Sequence, residues 1–410
     1  MDEFQFNVLD RLIDMESDDE NVPYVETWID FTNSSAKVNQ VVYFEEKLVE
    51  ERRLIFESHE NLRLNNTSNI TLENDSIIHD YIKEEVLATN FVFIFIDSLS
   101  RDNFRRKLTK SKKWLDDRYE NFESSSRSYQ FLRYHGIASW TLANMIPVQF
   151  GVNYLHEDEA TSHIKYYHNR GYVSGQSHTL CGRDIIDLEP GNLEKFSFET
   201  YDHEHNNLYC DPNFSIPGSP YSLFQGIYSI QRRCLYSHDS HHYVYDFGKK
   251  FWETYTGVPK YLRLGFLDAH EGTAEVIKYM DDHLVDFLDF ITKSEDWENT
   301  MIILMSDHGE NMPGFYSFIE AEDFIFEKTL PTHYWILPKN KADLHHKVLK
   351  SNEQKFTTPY DIHNTLLHIC QAPKYAHNNL GQSLFTEIDD SKRTCTKFNI
   401  DKYFCNCLDE

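Results

Sequence analysis

Positive charge is scarce in this sequence. Forty Lys and Arg stand against 66 Asp and Glu, a formal net charge of -26 at pH 7. A phosphate backbone needs a basic surface, so nucleic acid is excluded as the main partner. A polybasic membrane anchor is excluded on the same ground. The one local basic cluster, Arg105-Arg106-Lys107 to Lys112-Lys113, reads as one face of a helix. Long apolar runs are also missing, and no stretch approaches the length needed to cross a bilayer. The opening Met1-Asp2-Glu3-Phe4 has neither the basic nor the apolar region of a signal peptide. Cysteine is sparse. Seven residues are too few for a disulfide scaffold, and an odd number leaves at least one thiol unpaired. Cys395, Cys405 and Cys407 nevertheless crowd the C-terminus. They suit a disulfide knot or a partial metal site, and the first is favoured because no His lies among them. No internal repeat is visible.

What is present is apolar and aromatic material, 40% and 15% of 410 residues. That is enough for one large α/β domain or two smaller ones. Glycosylation sequons occur at Asn33, Asn65, Asn66, Asn69, Asn74 and Asn213, densest in the polar stretch from Asn65 to Ser76. With the C-terminal Cys group they point to an extracellular or secretory-lumen location, although no signal peptide is seen.

The chain is organised around Phe91-Val92-Phe93-Ile94-Phe95-Ile96, which runs without a polar break into Asp97. Such a run reads as a parallel strand buried on both faces. The aspartate then sits at the carboxyl end, where open α/β sheets place ligands. The pattern recurs in Tyr261 to Leu267, followed by Asp268-Ala269-His270-Glu271. It recurs again in Thr300 to Ser306, followed by Asp307-His308-Gly309. One such end is an ordinary Asx turn. Three, two of them with His within two residues, suit a divalent cation.

Residues 1–90 read as a partly disordered N-terminal lead-in, with helical spacing from Phe44 to Phe56 and a polar linker to Asp75. Residues 91–410 form the main domain. A helix is expected from Asn103 to about Phe122, strands at Phe131–His135 and Gly171–Gly175, and an aromatic, His-rich insertion over residues 188–240 above the active face. Ile277, Met280, Leu284, Leu288 and Ile291 recur at helical spacing and predict an amphipathic helix over Glu275–Thr292, with Asp281 and Asp282 solvated. Thr358–Ile369 is another helix. The alternation predicts a doubly wound, mostly parallel sheet.

Asp97, Asp307 and His308 could share one cation, the Gly after them letting the backbone turn sharply. Thr141 offers a hydroxyl at a helix start, and Asn144 lies one turn on. The plain reading of Thr141 is an N-cap, and that of His308 a polar turn residue. Asp268 and His270 are candidates for a second metal, or His270 for protonating a leaving group. His135, His178, His203 and His363 are spare candidates for which packing or surface roles are favoured.

These residues carry a resemblance. Asp97-Ser98-Leu99-Ser100-Arg101, Thr141-Leu142-Ala143-Asn144 and Ser306-Asp307-His308-Gly309 occur in the order and rough spacing of the alkaline phosphatase superfamily. More closely, the chain resembles the eukaryotic sulfatase-like family of unknown function within it. Gly381-Gln382-Ser383-Leu384-Phe385 is similar to the late Gly-x-Ser-Leu segment of sulfatases, and the Cys395 to Cys407 tail to the family's Cys-rich end. The resemblance covers about Phe91 to Cys407. It implies an alkaline-phosphatase-like α/β/α sandwich with a mostly parallel central sheet. It also implies a metal set of Asp97, Thr141, Asp307 and His308, with Thr141 as nucleophile; zinc or manganese is favoured, with calcium or magnesium as alternatives. A formylglycine sulfatase carries Cys or Ser in a Cys-x-Pro-x-Arg pattern. Here Thr141 is followed by Ala143 and Met145, and the paired aspartates of sulfatases are absent, since Ser98 follows Asp97. Phosphoester hydrolysis or transfer is therefore expected ahead of sulfate chemistry. The substrate is expected to be an anionic ester of a glycan, lipid head group or small molecule. The rival expectation is an inactive protein that binds an anionic glycan or lipid head group in the same cleft.

Overall fold

The computed structural model describes residues 26–30, 37–42, 44–69, 88–121, 123–155, 158–179, 196–206, 234–235, 238–271, 273–310, 322–370 and 380–406. Seven strands form its central sheet: β1 (Asn90–Ile96), β2 (Ser126–Gln130), β3 (Val173–His178), β4 (His203–His205), β5 (Lys260–Phe266), β6 (Thr300–Met305) and β7 (His333–Pro338). Their order is β2-β7-β6-β1-β5-β3-β4. The run from β6 to β4 is parallel, while β7 pairs antiparallel with β6 and with β2.

The apolar run at residues 91–96 is buried on both faces, as its composition requires. Phe91, Phe93 and Phe95 enter one core and Val92, Ile94 and Ile96 the other. Among the described helices that cover the two faces are α1 (Arg101–Lys107), α2 (Thr109–Glu120), α3 (Thr141–Phe150), α4 (Ser240–Thr254), α5 (Asp281–Thr292), α6 (Lys339–Asn352) and α7 (Pro359–Ile369). Leu142, Met145 and Ile146 of α3 and Ile362 and Leu366 of α7 join the first core, with Ala342 and Leu349 of α6. Phe104 of α1, Leu115 of α2, Phe247 and Phe251 of α4 and Leu284, Phe287 and Leu288 of α5 join the second. The result is the expected α/β/α arrangement around a mostly parallel sheet.

Register brings the three acidic strand ends together. Phe91 lies opposite both Tyr261 and Met301, Ile96 opposite Phe266, and Phe95 opposite Met305. Asp97, Asp268 and Asp307 therefore leave the sheet along one edge.

Several local expectations differ from the structure, among them the helix expected over Glu275–Thr292, which is a 3-10 turn over Val276–Met280 followed by α5. The helix expected over Asn103–Phe122 is two, broken at Leu108. Asp281, expected to be solvated, is 5% exposed. It accepts the amides of Lys110 (2.9 Å) and Ser111 (2.8 Å) and the Ser111 hydroxyl (2.7 Å), so it satisfies the first-turn donors of α2 from another helix. Asp282 does face solvent and pairs with Lys110. The expected strand at Phe131–His135 lies five residues earlier as β2, an edge strand whose Ser-Arg-Ser-Tyr-Gln sequence lacks an apolar pattern. Part of the 188–240 insertion lies outside the described residues, and its described part supplies β4. At the N-terminal side, a helix spans Glu46–Asn69 and covers Asn65, Asn66 and Asn69, where a polar linker is expected. Asn33, Asn74 and Asn213 lie outside the described residues.

Among the histidines that burial pushes down are His135 and His203, to about 4, and His205 and His333, to about 3. The folded state then binds fewer protons than the unfolded chain below the ordinary His value near 6.5. Stability falls as pH falls through that value, by up to about 1.4 kcal/mol per pH unit for each such group. Thermal unfolding followed by circular dichroism should show a lower midpoint at pH 5 than at pH 7. A midpoint that is flat or rises would contradict this.

Candidate functional site

The first wall of the site is a tie between two strand ends. After Asp97 the backbone takes a left-handed turn at Ser98 (φ 60°), an uncommon conformation for a residue with a side chain. The turn aims the Ser98 amide at Asp307 Oδ1 (3.2 Å) and the Leu99 amide at Ser306 Oγ (2.8 Å). Ser306 donates to His308 O (2.8 Å). Ser100 caps α1 through the Asn103 amide (2.9 Å) and also bonds Glu327, and Arg101 donates to Leu132 O (2.7 Å). The Asp-Ser-x-Ser-Arg stretch is thus mostly scaffold around one acidic side chain. Gly309 is obligatory, because a Cβ there would lie 1.6 Å from Glu327 O.

Asp97, Asp307 and His308 form a fully buried group whose ligand atoms all lie within 4.8 Å of one another. His308 Nδ1 lies 2.7 Å from Gly309 O. A carbonyl only accepts, so Nδ1 carries a proton and Nε2 is the nitrogen turned toward the carboxylates. Nε2 is 3.4 Å from Asp307 Oδ2, 3.7 Å from Asp97 Oδ1 and 3.5 Å from Thr141 Oγ1. Asp307 Oδ2 is buried without a hydrogen-bond donor among the described residues. A buried carboxylate oxygen in that state is costly unless a cation serves it. Two carboxylates and one imidazole nitrogen converging on one point fit zinc or manganese.

The opposite wall is the start of α3, whose ten residues are all buried. Its N-cap is Trp140, without a side-chain cap bond. Thr141 is therefore the first helical residue, and its hydroxyl does not cap. Thr141 Oγ1 instead lies 3.5 Å from Asp97 Oδ2 and 3.5 Å from His308 Nε2.

Asn144 departs from expectation. Its Oδ1 accepts from the Ile137 amide (2.6 Å) and the Ala138 amide (3.4 Å), and its Nδ2 donates to Ala138 O (2.8 Å) and Trp140 O (2.9 Å). Both amide hydrogens are taken by backbone, which leaves none for a phosphoryl oxygen. Asn144 holds the loop that delivers Thr141. Gly136 belongs to the same close fit, since a Cβ there would lie 3.1 Å from Asp307 O and 3.3 Å from Asn144 Oδ1.

His270 faces His308, with ring centroids 6.5 Å apart. Burial, then the neighbouring His308, pushes it down to about 4. The ring is thus neutral at pH 7, an N–H donor rather than an imidazolium acid. Asp268 is not brought into the buried group. Its Oδ1 lies 2.6 Å from His241 Nδ1, and His241 Nε2 lies 2.8 Å from His283 Nδ1. The sequence reading missed His241, because it sits on α4, 27 residues from Asp268, with no motif around it. The spare histidines are packed: His135 against Phe356 and Phe404, His203 on the Tyr255 hydroxyl, His363 on Val148 O, and His178 buried at the end of β3.

In Asp307→Asn the retained Oδ1 still accepts the Ser98 amide, while Oδ2 becomes an amide that cannot ligate. Elemental analysis after metal loading and dialysis should show most of the bound metal lost, with the melting temperature little changed. His270→Ala should keep wild-type stoichiometry, because His270 lies outside the group whose ligand atoms converge. Wild-type metal content in Asp307→Asn would contradict the site.

Residues 224–410 match a family described as a protein of unknown function (DUF229). This segment contains Asp268, His270, Asp307 and His308; Asp97 and Thr141 lie before it. No curated protein matches the chain. Among solved structures, the chain is similar to the zinc-bound C-terminal periplasmic domain of EptC from Escherichia coli, at 11% identity and TM-score 0.46, covering 73% of this chain and 86% of that one. It is similar to an alkaline phosphatase superfamily protein from Vibrio parahaemolyticus, at 14% identity and TM-score 0.43, covering 80% and 76%. It is also similar to the lipoteichoic acid synthase LtaP from Listeria monocytogenes, at 10% identity and TM-score 0.47, covering 75% and 80%.

Proposed function

We propose that the chain is a metal-dependent phosphoester hydrolase or transferase in which Thr141 is the nucleophile. The observation that carries this reading is the position of the Thr141 hydroxyl. It opens a buried helix without capping it and lies 3.5 Å from both Asp97 Oδ2 and His308 Nε2. Asp97, Asp307 and His308 would hold the cation. When bound there, a divalent cation lowers the basicity of the Thr141 oxygen and offsets phosphoryl charge.

The remaining work falls to the chain. Thr141 Oγ1 forms a bond to phosphorus as the bond from phosphorus to the leaving oxygen breaks. Asp97 Oδ2 is placed to take the hydroxyl proton. The amino end of α3 favours negative charge developing beside its first turn. His308 keeps its orientation through Gly309 O, and neutral His270 can donate an N–H to an oxygen of the ester. The phosphoryl group then passes from Thr141 Oγ1 to water or to an acceptor hydroxyl as the Oγ1–phosphorus bond breaks, and the proton held by Asp97 returns to Thr141. The substrate class is an anionic ester of a glycan, lipid head group or small molecule. The Cys395–Cys405 disulfide and the sequons support an extracellular or secretory-lumen location. No described helix is long and apolar enough to cross a membrane.

Turnover of chromogenic phosphate monoesters and diesters should disappear in Thr141→Ala and persist in Thr141→Ser. Both variants should melt close to wild type, because Thr141 is not the cap, whose loss would cost about 1 kcal/mol. Quenched wild-type reactions should yield a phosphorylated Thr141 peptide by mass spectrometry. Near-normal turnover in Thr141→Ala would overturn the assignment.

A further inference from the structure

A cavity of about 560 Å³ opens beside the loop that delivers Thr141. One wall is Trp140, the residue directly before Thr141, whose carbonyl is held by Asn144. Trp140 is 42% exposed and stands edge-on to Tyr154, with centroids 5.9 Å apart. Leu155, 68% exposed, continues the apolar surface. The other wall is polar: Asn153, Asn399 and Asp401. Asn399 adopts a left-handed conformation (φ 57°). Both it and Asp401 lie in the loop closed by the Cys395–Cys405 disulfide. The tail then docks onto the segment leading to Trp140, through the Asn406 amide on His135 Nε2 (3.3 Å) and Phe404 against the His135 ring. Residues about 250 apart in sequence thus make one pocket at the nucleophile's side.

We propose that this pocket binds a neutral sugar ring, the glycosyl part of the ester cleaved or transferred at Thr141; the placement rests on the phosphoester reading above. Three features select this class. An exposed indole at right angles to a phenol offers an apolar shelf for the C–H face of a pyranose, while amide and carboxylate groups opposite match its hydroxyls as donors and acceptors. Asp401, on a protein of net charge -26, disfavours the anionic part of the ester in the pocket and so leaves that part at the metal group. The volume exceeds what a small ammonium group fills, and so favours a mono- or disaccharide over a choline-like head.

Full-length protein is titrated with a panel of neutral mono- and disaccharides, and separately with choline, by saturation-transfer NMR. At least one saccharide should bind, with a Kd on the order of 1 mM. Tyr154→Ala and Asp401→Ala should each weaken it about tenfold at unchanged melting temperature. Thr141→Ala and Asp307→Asn should leave this affinity intact, because the ligand carries no phosphate. Binding of no saccharide, affinity unaltered in Tyr154→Ala and Asp401→Ala, or binding of choline in place of sugars would each overturn the proposal. Saccharide binding by a protein whose phosphoester turnover is indifferent to Thr141 would sink the nucleophile instead, and so separates the two failures.

Discussion

The site depends on one tie between two strand ends. The Ser98 and Leu99 amides reach across from the end of β1 to Asp307 and Ser306 at the end of β6. Those bonds require the left-handed turn at Ser98, and they fix Asp97, Asp307 and His308 on one point. The strands' register places the two ends level, so a slip of one residue would send every inward side chain to the other face. Asp97, Asp307 and His308 are held at the ends of sheet strands, while Thr141 is held by α3 and the loop that Asn144 clamps.

Around that tie the polar contacts are devoted to holding helix starts. Asn144 fixes the loop before α3. On the neighbouring α7, Thr358 and Asp361 form a capping box, and Asp361 also forms a buried two-point ion pair with Arg393 (2.8 Å to each oxygen). The Gln382 amide completes the Asp361 carboxylate (2.8 Å). A Cβ on Gly381 would lie 2.2 Å from Tyr360 O. The Gly-Gln-Ser-Leu stretch is therefore a brace on α7, which in turn packs on α3. Breaking an ion pair buried this deeply would leave an uncompensated charge, so its loss should act through the fold rather than the chemistry.

Much of this was legible in the sequence. Unbroken apolar runs ending in Asp gave away β1, β5 and β6, because burial on both faces forces that composition. Asp97, Asp307 and His308 stood out by their places at strand ends, whereas Thr141 joined them through the family resemblance. What sequence could not supply was the tertiary partner of a polar residue. Asp281 reads as an exposed helix-start acid until α2 is seen to begin on it. Asp268 reads as a lone strand-end acid until His241 is found beside it. Asn144 reads as a substrate contact until the loop it clamps is seen. The edge strand β2 was misplaced because pairing on one side only relaxes the hydrophobic pattern that marks a strand.

The central claim is that Asp97, Asp307 and His308 hold one divalent cation against the Thr141 hydroxyl. Anomalous diffraction at the zinc and manganese edges, from crystals of metal-loaded protein, tests it directly. The account predicts one peak within ligand distance of all three side chains, about 2.0–2.2 Å from His308 Nε2 and the carboxylate oxygens if the ion is zinc. No peak there, or a peak at the Asp268–His241–His283 chain instead, would contradict it.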